Sequence, residues 1–209
     1  MKEHPTLFRG EMVRALLNTK VGSWPAEPIN PDLPFKWQTR RPVKDQIVHR
    51  LINGNDGLYY DADCIHPGRE IPCKWRKGDV LWVKETFGVH KGCPARKISN
   101  IGPGWICYQA DGGGMCPPSL IKRWRPSIFM PRRFHRIALE LMEDPEPQRV
   151  NEISEQDAKA EGVLYPTQPF SGDPYRLSFR LLWDSIHGKY PSSFLSAPWV
   201  WKLSFKRIK

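Results

Sequence analysis

The sequence lacks any long hydrophobic run, which bears first on where the chain can reside. A membrane-spanning helix needs about 18 or more consecutive apolar residues, and the 209 residues contain no such stretch. The first residues, MKEHPTLFRG, also lack the apolar core of a secretory signal. We therefore expect no membrane partner and a cytoplasmic location.

Cysteine is scarce and irregularly spaced. The chain has five cysteines, an odd number, and no C-x-x-C pair. A disulfide framework is therefore not expected, and we predict reduced, separate thiols. A zinc site is conceivable because His66 and His90 lie near some of the cysteines. Their spacing does not fit a regular zinc motif, so we predict neither a metal nor a cofactor.

The chain has fewer acidic residues than basic ones. The 22 Asp and Glu residues face 32 Lys and Arg residues, which gives a net charge of +10. Such an excess favours polyanionic partners. Nine Trp and six Tyr residues supply flat rings of the kind on which unstacked bases pack, although most of these rings could instead form the core. A nucleoside or a single-stranded nucleic acid is the partner we expect.

Two patterns follow one another near the N-terminus. Residues 9–19, RGEMVRALLNT, place apolar side chains at helical spacing, which predicts a short helix ending near Asn18. Residues 20–35 then carry prolines at every third position, the repeat of a polyproline II helix. We predict an extended arm that makes few backbone hydrogen bonds and leads directly into Lys36. A floppy insertion and a ligand for a proline-binding adaptor are the alternatives.

The remaining segments mix strand and helix patterns. Strands are predicted in RKGDVLWVKETFGV, after a Gly-Asp turn, in WICYQADGG, before a glycine-rich turn, in RPSIFMPRRFHRIALELME, as one or two strands, and in PWVWKLSFKRIK. NEISEQDAKAEGV predicts a helix in which Ser154 and Asp157 form a capping box and Gly162 lies near the end. PYRLSFRLLWDSIHG predicts a second helix with Leu177, Leu181, Leu182, Trp183 and Ile186 inward. This order predicts one α+β domain on a small, mainly antiparallel, barrel-like sheet.

An acidic residue falls on the apolar face of the predicted strand 80–87. Side chains alternate between faces along a strand, so Glu85 shares a face with Leu81, Val83 and Phe87. The opposite assignment would bury Lys84 instead. A carboxylate at an interior position is costly unless it is paired. We therefore expect a basic partner for Glu85, and Lys36 is the best candidate.

Lys36 is followed three positions later by Thr39, within FKWQTRRP. Residues three apart share a face in a helical turn and not in a strand, so joint action of the two requires a turn. A desolvated lysine with a lowered pKa can remove a proton from a hydroxyl or a water. Glu85 could orient the lysine or carry a proton to a leaving amine. A purely structural ion pair is the alternative.

Eight stretches of the chain resemble the ASCH family of the PUA-like superfamily, most closely its phage and prophage members. They are LFRGEMVRALL, KWQTRRPVK, KGDVLWVKETF, YQADG, WRPSIFMPR, ISEQDAKAEGV, LLWDSI and PWVWKLSFK, and together they span nearly the whole chain in family order. The resemblance implies a small PUA-like β-barrel with flanking helices in a single domain, residues 1–209. It also implies a cleft that binds RNA or nucleotides.

One branch of the superfamily hydrolyses the amide of N4-acetylcytidine. Its catalytic lysine, threonine and glutamate fall here on Lys36, Thr39 and Glu85. Two features depart from the family pattern. The proline-rich segment replaces a short Gly-Arg-Lys link, and extra segments occur at 44–76 and 88–104. Both departures bear on the identity of the substrate.

Three functions remain open at this point. The first is an amidohydrolase that removes an acyl group from an N-acylated base or nucleoside. The second is a non-catalytic module that binds RNA or another single strand, and the third is a ribonuclease, which the lack of an obvious histidine pair disfavours. The residues expected to bind substrate, by stacking on a base, gripping phosphate or stabilising an oxyanion, are Trp37, Arg40, Arg41, Tyr108, Arg132 and Arg133.

Overall fold

The protein was examined as a computed structural model that describes residues 1–43, 51–53, 58–61, 69–112, 116–166, 172–188 and 191–209. The strands, in chain order, are β1 (Glu3–Leu7), β2 (Gln38–Pro42), β3 (Leu51–Asn53), β4 (Tyr59–Asp61), β5 (Arg69–Glu70), β6 (Val80–Lys84), β7 (Phe87–His90), β8 (Ile106–Tyr108), β9 (Ile121–Arg125), β10 (Ala138–Leu141), β11 (Glu146–Arg149) and β12 (Trp199–Arg207). The α-helices are α1 (Gly10–Leu17), α2 (Glu155–Ala160) and α3 (Pro174–His187).

Short 3-10 turns connect many of these elements. They are Ile98–Asn100, Pro103–Trp105, Gln109–Asp111, Pro118–Leu120, Ser127–Phe129, Arg132–Phe134, Val150–Glu152 and Phe194–Ser196. Within the described part of the chain, no helix is long and apolar enough to cross a membrane. The mixed α+β class is confirmed, whereas the barrel and the PUA-like topology stay predictions.

The chain divides into two compact units, each assembled from separated stretches of sequence. Unit 1 comprises Met1–Phe35, Asp79–Glu140 and Lys206–Lys209, and unit 2 comprises Lys36–Gly78 and Leu141–Phe205. Each unit has an apolar cluster of its own. One surrounds Phe87 and Phe134 in unit 1, and the other surrounds Phe179 and Trp183 in unit 2.

Unit 1 is organised around strand β6. This strand pairs in parallel with β1 and antiparallel with β10. A second group of strands places β7 between β8 and β9, with both pairs antiparallel. The turn before β6 contains Gly78 at φ +80°, a left-handed conformation that glycine adopts at little cost. The predicted Gly-Asp turn is therefore confirmed. Strand β1 was missed, because EHPTL carries no clear alternation.

Unit 2 is organised around strand β12. This strand lies between β11 and β2, and both pairs are antiparallel. Helix α2 packs against α3 and against β2. The Ser154 hydroxyl accepts the Asp157 N–H at 3.1 Å, which confirms Ser154 as the N-cap of α2. The short strands β3, β4 and β5 form a further antiparallel group.

Strand β6 ends one residue before Glu85. The predicted single strand 80–87 is divided into β6 and β7, yet the predicted interior face is confirmed. Leu81, Val83 and Phe87 are fully buried, and Glu85 is 1% exposed. An interior carboxylate was thus predictable from period-two alternation alone.

The proline-rich residues 20–35 do not form the extended arm predicted for them. The Lys20 N–H donates to the Glu27 carbonyl at 2.8 Å, and the Ile29 N–H donates to the Asn18 carbonyl at 2.6 Å. The side-chain amide of Asn18, at the end of α1, donates to three carbonyls further along this segment. Turns and bends between residues 21 and 33, together with the bonds from Asn18, fold the segment back, so the predicted continuous extended arm is not formed.

Two further expectations are corrected. Residues 125–143, predicted to form one or two strands, contain one complete strand, β10, whereas residues 127–134 form two 3-10 turns, each preceded by a proline. In α3, the predicted inward residues Leu181 and Ile186 are 64% and 39% exposed, while Phe179 and Trp183 are buried. The apolar residues of α3 are too many to define one narrow stripe.

A disulfide joins Cys107 to Cys116, so the expectation of separate thiols is wrong for this pair. The chain reverses between them through the 3-10 turn Gln109–Asp111 and Gly112, which has φ +67°. This reversal brings the two Cα atoms to 5.9 Å, within the usual range for a disulfide. Cys73 and Cys93 are free thiols. Cys64 and His66 lie outside the described residues.

We expect reduction of this disulfide to lower the free energy of unfolding by about 2–3 kcal/mol, because it closes a loop of roughly ten residues. Urea unfolding with and without a phosphine reductant measures the change. The double variant Cys107→Ser/Cys116→Ser is the control and should not respond to the reductant. An equal midpoint for the parent protein in both conditions would contradict the prediction.

Candidate functional site

Lys36 lies two residues before β2 and is 0% exposed. Its Nζ donates to Oε2 of Glu161 at 2.6 Å and to the backbone carbonyl of Glu161 at 2.7 Å. Backbone hydrogen bonds fix the neighbouring residue, since the Trp37 N–H donates to Ala160 and the Trp37 carbonyl accepts from Phe205. The amine is therefore held between the end of α2 and the start of β2.

Glu161 caps the C-terminal end of α2 and is itself 1% exposed. Gly162 follows at φ +75° and ends the helix, as predicted. The second carboxylate oxygen of Glu161 accepts from Arg40 Nη1 at 3.1 Å. Arg40 Nη2 donates to Asp157 at 2.9 Å and to Gln148 at 3.3 Å. One buried carboxylate therefore joins two buried cations.

Burial lowers the pKa of Lys36 to about 8, and the nearby Glu161 carboxylate opposes this decrease. A buried amine loses hydration that one ion pair only partly replaces. The neutral form of Lys36 is therefore accessible near physiological pH. The sequence indicated a desolvated lysine with a lowered pKa but not its partner Glu161, which lies 125 residues further along the chain.

Thr39 lies within β2, opposite Leu203 of β12, and is 3% exposed. The expected helical turn over residues 36–39 is therefore wrong, because Gln38–Pro42 is a strand. Lys36 precedes this strand, so strand alternation does not fix its direction relative to Thr39. Both residues belong to unit 2.

Glu85 belongs to unit 1 and has Arg136 as its basic partner. The two carboxylate oxygens accept from Arg136 Nε and Nη2, each at 2.8 Å. Burial raises the pKa of the Glu85 carboxyl, while the hydrogen bonds from Arg136 oppose this. The partner expected from the sequence was Lys36, so that assignment is corrected. The convergence of Lys36, Thr39 and Glu85 on one site stays a prediction.

The predicted substrate-binding residues of unit 2 differ in their surroundings. Trp37 is half-buried. Arg40 is 4% exposed, with donors directed at Glu161, Asp157 and Gln148. Arg41 is half-buried, and desolvation lowers its pKa. Arg40 thus serves the buried ion cluster, which argues against a direct role in holding a substrate.

The predicted substrate-binding residues of unit 1 lie on separate features. Tyr108 is half-buried, and its hydroxyl donates to the Phe134 carbonyl at 2.6 Å. Arg132 is exposed and forms an ion pair with Glu3. Arg133 is exposed and donates to the Ile98 carbonyl. Its guanidinium carbon lies 4.6 Å from the centroid of the Phe134 ring. Tyr108 also lines a cavity with Arg136, a residue that the sequence did not single out.

The described residues contain no group of three or more His, Cys, Asp or Glu side chains that could hold a metal ion. Comparison with known proteins gives no match to a family model, a curated protein or a solved structure. The likeness to the ASCH family therefore stays an expectation drawn from short motifs.

We expect Glu161→Gln to lower the free energy of unfolding by about 3–5 kcal/mol, because it leaves the buried Lys36 amine without its carboxylate and Arg40 with Asp157 alone. Glu143→Gln, at an exposed position of unit 2, is the matched control and should change it by less than about 0.5 kcal/mol.

Adding Lys36→Met to Glu161→Gln should recover part of the loss, because it removes the buried charge that the first substitution leaves without its carboxylate. Urea unfolding of the single and double variants measures the recovery. A Glu161→Gln protein as stable as its Glu143→Gln counterpart would contradict the proposed importance of this carboxylate.

Proposed function

We propose that this protein is an amidohydrolase that removes an acyl group from an N-acylated base or nucleoside of the N4-acetylcytidine type. The observation that carries the proposal is the completely buried Lys36 amine, with a pKa lowered to about 8. A lysine with such a pKa is partly neutral at physiological pH and can act as a general base. The family resemblance assigns the same residue as catalytic.

The proposed reaction begins when neutral Lys36 accepts a proton from the Thr39 hydroxyl or from a water molecule. The oxygen then attacks the acyl carbon, the amide C–N bond breaks, and the amine leaves with a proton returned by the lysine. Attack by Thr39 forms an ester that water hydrolyses, whereas attack by water gives the carboxylic acid directly.

Two supporting roles follow from the surroundings. Because both terminal nitrogens of Arg40 are engaged by Glu161, Asp157 and Gln148, stabilisation of the oxyanion is assigned to backbone N–H groups or to Arg41. The role of Glu85 rests on the resemblance alone. Lys36 and Thr39 are 0% and 3% exposed, so the reaction requires local opening that admits the substrate.

The second candidate is a non-catalytic module that binds single-stranded nucleic acid in the cytoplasm. It is favoured by the exposed basic residues Lys122 and Arg123 of β9 and by Phe129, which is 65% exposed. Basic side chains interleaved with rings suit a flexible strand. In this case Lys36 and Glu161 only brace unit 2.

Hydrolysis of N4-acetylcytidine, followed by absorbance at a series of pH values, tests the proposal. We expect kcat/KM to rise with pH and to level off above about pH 8, because the amine must be neutral. Lys36→Met should lower kcat/KM by about 10²–10⁴-fold, the usual contribution of a general base. Lys159→Met, on the exposed side of α2, is the control and should retain activity.

The pair Thr39→Ser and Thr39→Val separates the two nucleophiles. Activity in the serine variant alone indicates attack by the hydroxyl, and activity in both indicates attack by water. Turnover by Lys36→Met near the parent rate would overturn the assignment of the base. Salt-sensitive strand binding without turnover in any variant would favour the binding module instead.

A further inference from the structure

Unit 1 contains a cavity of about 430 Å³ whose lining includes neither Lys36 nor Thr39. Its walls include His90, Trp105, Tyr108, Asp111 and Arg136, together with the disulfide Cys107–Cys116. A cavity of this volume suits a small organic ligand. The wall combines aromatic rings with a few charged groups.

Arg136 is held by two carboxylates at this wall. Its Nε and Nη2 donate to Glu85, and its Nη1 and Nη2 lie 3.1 Å and 2.7 Å from oxygens of Asp111. The guanidinium carbon lies 4.1 Å from the centroid of the Tyr108 ring. Because the donors of Arg136 are engaged, it is poorly suited to grip a phosphate.

Two carboxylates and one guanidinium leave this cluster with a net charge of about −1 when all three are ionised. The Asp111 side chain is 43% exposed, whereas that of Glu85 is 2% exposed. Asp111 therefore presents acceptor oxygens toward solvent at the cavity wall. Such a wall favours a ligand that donates hydrogen bonds and disfavours an anion.

Aromatic rings complete the wall. Trp105 is 38% exposed, and its ring centroid lies 5.9 Å from that of His90. An exposed indole beside a second ring offers a face on which a flat ligand can stack. The 3-10 turn Pro103–Trp105 carries this residue.

We propose that this cavity binds an uncharged planar heterocycle that carries an exocyclic amino group, with the ring stacked on Trp105 and an amino N–H directed at Asp111. The amino edge of cytosine has this chemistry. The choice of nucleosides as probes rests on the proposed function, whereas the properties of the cavity do not. Recognition here requires none of the chemistry of Lys36.

Isothermal titration of the full chain with cytidine, uridine and cytidine 5′-monophosphate tests the proposal. Cytidine should bind about tenfold or more tightly than uridine, because uridine presents a carbonyl where cytidine has an amino group facing a carboxylate. The monophosphate should bind more weakly than cytidine, and added salt should narrow that gap because it screens the repulsion.

Two variants and their matched controls identify the contacts. Asp111→Asn should reduce the ratio of cytidine to uridine affinity by about tenfold. Trp105→Ala should lower the affinity for both nucleosides by about tenfold or more. The controls are Asp32→Asn, at another exposed acid of unit 1, and Trp24→Ala, at a tryptophan of similar exposure. Both controls should bind like the parent.

The change in base preference separates recognition by Asp111 from a structural role, which would weaken all ligands alike. Equal binding of cytidine and uridine, no binding of either, or unchanged binding in Trp105→Ala would overturn the proposal. Hydrolysis of N4-acetylcytidine is measured separately from nucleoside binding. Binding without turnover contradicts only the proposed reaction, and turnover by a protein whose nucleoside binding is unchanged in Asp111→Asn and Trp105→Ala contradicts only this cavity.

Discussion

The ion pairs made by the Glu161 carboxylate are the constraint on which the organisation of unit 2 depends. One oxygen accepts from Lys36 and the other from Arg40, and all three side chains are almost completely buried. A buried charge without a partner would destabilise the fold by several kcal/mol. The end of α2 and the start of β2 must therefore keep their relative positions, and Gly162 ends the helix where the carboxylate is needed.

The same constraint connects structure to the proposed chemistry. A lysine that is desolvated yet paired with one carboxylate has a pKa between that of an isolated buried amine and that of an exposed one. For Lys36 this value is about 8. Burial of this charge costs free energy, and it gives Lys36 an amine whose neutral form is accessible near physiological pH.

Local patterns in the sequence predicted part of the fold and part of the candidate site. The burial of Glu85 followed from strict alternation along β6 and β7, and the N-cap of α2 followed from Ser154, because both depend on near neighbours. The partners of the buried charges were not predictable in this way. Arg136 lies 51 residues from Glu85, and no local pattern connects such positions. The proline spacing predicted an extended arm that is not formed. Three-residue periodicity carries no information about the hydrogen bonds that the Asn18 side chain donates to this segment.

The most direct test of this account is the pKa of the Lys36 amine itself. An NMR titration that follows the lysine side-chain ¹³Cε shifts, with Lys36→Met to assign the signal, measures it in the intact protein. The account predicts a midpoint near pH 8. A midpoint near 10.4, the ordinary value of an exposed lysine, would show that the amine stays charged at physiological pH and would contradict the proposed general base.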